Sequence, residues 1–281
     1  MTRPLRRTLP TLALALALGG AHAASVAPPG SLASWSCSGQ CGSTPADGDI
    51  GLSPLANPAY GYVATAGSSV YGVSPLVLDG NSRGIETNGS VITSGAFQAA
   101  AGDWIDLQFN YVSTDGKGFD DYAWARLLDA SSGSLVAWLF TARSSNSATG
   151  NIVPGDVVTK KEFDPREAIV NYDSFAFTSK TVDDPVDWSL LGGSNGTCWR
   201  DNAPGCGYTG WLQSRHHFAA TGHYRIEVGV VNWGDEAYDS GLAFDVQGLV
   251  AAPVPEPAPW QLLAAGGLLG CVRVRRLQSQ C

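Results

Sequence analysis

Hydrophobic positions in this chain recur every second residue. From Trp104 to Val112, Ile105, Leu107, Phe109 and Tyr111 share one face, and Asp106, Gln108 and Asn110 share the other. From Tyr224 to Val231, Tyr224, Ile226, Val228 and Val230 alternate with polar positions that include Arg225 and Glu227. Leu242, Phe244 and Val246 alternate in the same way with Asp245 and Gln247. A period of two is the signature of half-buried strands. Ser134–Thr141 is apolar on both faces, which predicts a central strand. Tyr122–Leu128 is similar, with Trp124 and Arg126 on one side. Trp124 and Trp138 are assigned to the core.

Turn-forming clusters separate these runs: Asn81–Gly84, Asn88–Gly89, Thr114–Gly116, Ser131–Gly133 and Asn195–Gly196. No helical pattern intervenes. The chain is therefore predicted to be all-β, an antiparallel two-sheet β-sandwich or jelly roll. Residues 144–210 are less regular and are expected to form long loops.

The two ends read differently. Arg3, Arg6 and Arg7 precede an alternating Leu/Ala stretch, Leu12–Leu18, and Ala21-His22-Ala23 follows. That order predicts a signal peptide over residues 1–23, with cleavage at the Ala21/Ala23 site. The Sec translocon and signal peptidase are the partners it implies. The exported domain is expected over residues 24–250, followed by a Pro/Ala linker over 251–259. Residues 260–281 read as a short hydrophobic transmembrane helix with an Arg-rich tail. The apolar run Ala258–Val272 has 15 residues. As a helix it spans about 22 Å, against roughly 30 Å of hydrocarbon, so it is a marginal permanent anchor.

Pro255-Glu256-Pro257, that apolar run, and Arg273, Arg275 and Arg276 stand in a fixed order. The tail resembles the PEP-CTERM sorting signal of Gram-negative exported proteins. The resemblance implies an exosortase as partner, transient anchoring in the inner membrane, processing of the tail, and delivery to the cell surface or extracellular matrix. Within the domain, Phe109–Asp115, Asp121–Leu127 and Asn232–Asp245 look like segments of the β-sandwich domains that precede such tails. That likeness implies architecture and no assigned reaction.

Charge agrees with an extracellular passenger. The whole chain carries −8. The two ends hold six of the 17 basic residues and one of the 25 acids, leaving 11 against 24, or −13. A surface of this sign repels nucleic acid and attracts divalent cations, so no nucleic-acid partner is expected. In an oxidising compartment the local pairings Cys37–Cys41 and Cys198–Cys206 are the simplest disulfides.

Two acidic loops are candidate calcium sites. Asp115, Asp120 and Asp121 lie in one, Asp235 and Asp239 in the other. Carboxylates on loops suit the oxygen-rich shell of Ca²⁺. The competing reading is turn capping and strand-edge solubility. Trp199, Tyr208 and Trp211, in or beside the second cysteine loop, are candidate rings for stacking against sugars; core filling is the alternative. No nucleophile elbow, zinc-protease motif or phosphate loop occurs, so no catalytic residue is named. Adjacent His216 and His217 on a strand would face opposite ways.

The leading expectation is a non-catalytic surface or matrix protein associated with exopolysaccharide. The alternatives are a carbohydrate-binding module with structural calcium, and a polysaccharide hydrolase with paired carboxylates.

Overall fold

The computed structural model describes residues 34–75, 86–116, 119, 121–144, 153–154, 184–199 and 206–249. The signal-peptide segment, the linker, the sorting tail and Asp120 lie outside them. Among the described residues no helix is long and apolar enough to cross a membrane.

The strands include the alternating segments, while Asn88–Gly89, expected as a turn, lies inside the strand Glu86–Thr93. In chain order they are β1 (Ser36–Ser38), β2 (Gln40–Thr44), β3 (Tyr60–Ala64), β4 (Val70–Tyr71) and β5 (Glu86–Thr93). Next come β6 (Phe97–Ala99), β7 (Trp104–Ser113), β8 (Tyr122–Asp129), β9 (Leu135–Arg143) and β10 (Val153–Pro154). The last are β11 (Gly207–Tyr208), β12 (Leu212–His217), β13 (Gly222–Trp233) and β14 (Ser240–Val246). One sheet runs β1-β5-β13-β8-β9-β10, with β4 on β5 and β6 on β13. The other runs β11-β7-β14-β3-β2, with β12 on β7. Every pairing is antiparallel, and the two sheets pack face to face as a β-sandwich.

The inward face of each long strand is the apolar one. Leu107, Phe109 and Tyr111 of β7 and Leu242, Phe244 and Val246 of β14 meet Ala123, Ala125 and Leu127 of β8 and Ile226, Val228 and Val230 of β13. Phe109 and Phe140 stack across the gap with ring centroids 4.7 Å apart. Each such ring contributes about 1.5–3 kcal/mol by leaving water.

Two further clusters lie outside that core. Tyr122, Trp124, Val231 and Trp233 gather on the outer face of the first sheet. Ile50, Tyr60, Val112, Val186, Trp188, Leu191 and Ala243 gather on the outer face of the second. There Trp188 lies flat over Gly241, where a Cβ would come within 2.5 Å of its ring.

That outer covering corrects one expectation. The polar face of β7 is not solvated: Asp106, Gln108 and Asn110 are all buried. The irregular segments around residues 47–57 and 184–199 lie over this face of the second sheet, which hydrophobic alternation within one strand cannot reveal.

A second correction concerns Ser134–Thr141. Among the described residues it is not central: β9 has β8 on one side and only the two-residue β10 on the other. Leu135 and Val136 are 47% and 45% exposed. Trp138 is correspondingly half-buried and packs on the outer cluster. Trp124 is fully buried there, with Gly229 opposite making room for its indole.

Candidate functional site

One end of the sandwich gathers the ends of strands from both sheets. β7 ends there at Ser113, β9 at Arg143 and β13 at Trp233, while β8 begins at Tyr122 and β14 at Ser240. Both acidic loops leave from this pole, so segments 120 residues apart in sequence become neighbours.

Asp121 sits at its centre with 0% exposure. Its Oδ1 accepts from the Trp233 backbone N–H at 2.8 Å, and its Oδ2 accepts from Ser240 Oγ at 2.7 Å. Its backbone carbonyl accepts from Tyr111 Oη at 2.8 Å and from the Ser144 N–H at 2.8 Å. Ser113 and Ser144 share a hydroxyl hydrogen bond of 2.7 Å.

Asp115 is 1% exposed. Its Oδ1 accepts from the Gly116 N–H at 2.6 Å. Its Oδ2 is buried and has no hydrogen-bond partner. The loop is roofed by Trp199: its ring lies over Gly116, where a Cβ would sit 2.3 Å from Cε3. Trp199 also meets Phe119 edge-on at 5.5 Å.

The electrostatics follow from burial. Removal from water raises the Asp115 carboxyl well above the ordinary carboxylate range, and the charge of Asp121 raises it further. Burial likewise raises Asp121; hydrogen bonds from Ser240 and Trp233 oppose this, and the charges of Asp235 and Asp239 add to it. Asp239 is raised by burial, against hydrogen bonds from Ser194 and Thr65 at 3.0 Å each.

Four of the five acids proposed for metal binding, Asp115, Asp121, Asp235 and Asp239, therefore act on one another at one pole. Asp120 lies outside the described residues. Among those residues, no three His, Cys, Asp or Glu side chains cluster closely enough to hold an ion by themselves.

Beside the acids opens a cleft of about 530 Å³, lined by Pro185, Ser194, Thr197, Cys198 and Tyr238 among others. Cys198–Cys206 is closed, as is Cys37–Cys41, so both expected disulfides form. The first of these closes one wall of the cleft. Tyr238 forms part of another wall at φ +62°, the left-handed region that a tyrosine rarely adopts. Sequence reading did not single out Tyr238 or Ser194. The Asp-Glu-Ala-Tyr-Asp run marks a turn, but not its partner 45 residues upstream.

The three aromatics considered for stacking do not share one open face. Trp199 covers the acidic loop. Tyr208 and Trp211 pack on the outer cluster of the second sheet, Trp211 edge-on to Tyr60 at 5.5 Å and donating from Nε1 to the Gly51 carbonyl at 3.0 Å. The histidines do face opposite ways: His216 is buried edge-on to Phe218 at 5.0 Å, while His217 is exposed.

No family model matches the chain, and no curated protein matches it. Solved structures do. One is the enzymatically active domain of tailspike protein 4 of bacteriophage CBA120, at 12% identity and a TM-score of 0.31, covering 78% of this chain. The chain spans only 20% of that tailspike chain. A carbohydrate-binding module with specific mannan recognition matches at 12% identity and TM-score 0.31, covering 82% of this chain and 98% of the module. A cleaved adhesin domain of Lys-gingipain from Porphyromonas gingivalis matches at 13% and 0.31, covering 78% of this chain and 93% of that domain. The sandwich assignment rests on the strand pairing itself.

Proposed function

We propose that this chain is an exported, non-catalytic β-sandwich that works at the cell surface or in the extracellular matrix, where it holds polysaccharide. In this reading it arrives through its signal peptide, and the PEP-CTERM-like tail directs an exosortase to release it from transient inner-membrane anchoring. The observation that carries the reading is the polar cleft walled by a closed disulfide and by Tyr238. A pinned wall lowers the ordering cost of binding, and hydroxyl-bearing walls match a neutral polyol.

Two points support binding over hydrolysis. A glycosidase needs two carboxyl groups open to the glycosidic bond. The two most perturbed acids here, Asp115 and Asp121, are closed off from solvent. The −13 charge of the expected domain also favours a neutral or cation-bridged glycan over a polyanion bound directly.

A glycan array tests the reading, with wild type, Tyr238→Ala and Trp211→Ala compared. Binding by wild type that is lost in Tyr238→Ala and kept in folded Trp211→Ala is the expected pattern. Failure of wild type to bind any glycan, or release of sugar from a polysaccharide, rejects it.

A further inference from the structure

We propose that a divalent cation, calcium by its donor chemistry, binds between the buried carboxylates of Asp115 and Asp121, at the two ends of the first acidic loop. The inference does not depend on polysaccharide binding. It starts from Asp115 Oδ2, a carboxylate oxygen that is fully enclosed and has no partner. An enclosed carboxyl oxygen without a partner is costly, and native structures rarely leave one.

The neighbours do not solve the problem. Asp121, with 0% exposure, adds a second carboxylate. Asp235, in the other loop, adds charge of the same sign to both. Among the described residues, the groups donating to Asp121 are one backbone N–H and one serine hydroxyl, both neutral. A second oxygen in the same bonded network, Asn232 Oδ1, is also buried without a partner. Asn232 donates to Asn88 at 3.0 Å, and Asn88 donates to the Thr65 carbonyl at 3.0 Å. Thr65 donates in turn to Asp239.

The donor set selects the ion. It offers carboxylate, hydroxyl and carbonyl oxygens and no thiolate or imidazole, a poor match to the nitrogen- and sulfur-rich shells of structural zinc. With only two enclosed carboxylates, the rest of the shell falls to carbonyls, hydroxyls and water. Calcium accepts such mixed shells of six to eight oxygens, whereas magnesium demands near-ideal octahedral geometry. Trp199 lies over Gly116, next to Asp115.

The test uses the secreted protein, with Ca²⁺ and with Tb³⁺ as its luminescent stand-in. At a Ca²⁺ concentration 100-fold above Kd, the melting midpoint should rise by about 5–10 °C over chelator. Tb³⁺ should luminesce on tryptophan excitation, through Trp199 and Trp233, and Ca²⁺ should quench it by competition. Asp115→Asn should abolish both responses, because the carboxylate that holds the ion is gone. Should Asp115→Asn fail to fold, Asp235→Asn on the half-exposed loop serves instead, and a several-fold rise in Kd is expected. An unchanged wild-type midpoint with no Tb³⁺ signal overturns the proposal. So does a calcium response that survives intact in folded Asp115→Asn, or in Asp235→Asn where that variant serves.

Discussion

Ser240 donates from Oγ to Asp121 Oδ2 at 2.7 Å, and this bond joins the two sheets. Ser240 opens β14 in one sheet, and Asp121 immediately precedes β8 in the other. The second oxygen of the same carboxylate takes the N–H at the end of β13. One side chain thus ties the start of β8 to the end of β13 and the start of β14, which lie 112 and 119 residues further along the chain.

Asp121→Ala leaves a buried N–H and a buried hydroxyl without their acceptor. The expected loss is about 2–4 kcal/mol. Urea denaturation of wild type and variant measures it; a loss below about 0.5 kcal/mol would show that the link is incidental.

The inward faces of the strands were legible because each strand carries its own apolar stripe. β7, β13 and β14 were readable from Ile105, Ile226 and Phe244 and their period-two neighbours. What was not legible depends on other segments. Asp106 reads as a solvated residue until Arg215 on β12 is seen to grip it with two hydrogen bonds of 2.6 and 2.7 Å. Ser134–Thr141 reads as central because of its hydrophobicity, yet part of that hydrophobicity faces water at Leu135 and Val136. The acidic loops were visible as composition, but their meeting at Asp121 is a property of topology. The cleft wall at Tyr238 needs a backbone angle that no sequence pattern encodes.

The pH dependence of the metal-free protein follows from the raised carboxyls. Asp115, Asp121, Asp239 and Asp245 all lie above their unfolded values, with burial as the largest cause. A group raised in this way binds a proton in the folded state that the unfolded chain releases. Its contribution is complete below the unfolded value and is lost as pH rises through the folded one. His216 runs the other way, since burial holds it neutral and it loses stability below about 6.5. In chelator, the melting midpoint should therefore fall between pH ~6.5 and ~8.5. A midpoint that rises over this range would show that the buried acids are ionised and satisfied.

Gly229→Ala probes the outer aromatic cluster. A Cβ at this position would lie 2.2 Å from Trp124 Cζ2, so the fully buried indole must shift to admit it. Overpacking of this kind costs about 1–3 kcal/mol. Denaturant midpoints and near-ultraviolet circular dichroism check it, the latter reporting a displaced tryptophan.

Removing the second disulfide by Cys198→Ser with Cys206→Ser releases a bridge between residues eight apart. Loop-closure entropy puts the loss at about 2–3 kcal/mol. Because the bridge walls the cleft, any glycan bound by wild type should dissociate faster from the double variant. Equal stability and equal dissociation rates would separate the bridge from both roles.

The central claim is that a folded, acidic sandwich is delivered outside the cell and parted from its tail. Intact mass spectrometry of the protein recovered from the culture medium and cell surface tests this most directly. The account predicts a polypeptide that begins near Ala24, ends close to Pro255–Pro257 and is four hydrogens lighter than its reduced form, for two disulfides. A chain found only inside the cell, or one that still carries residues 260–281, would contradict it.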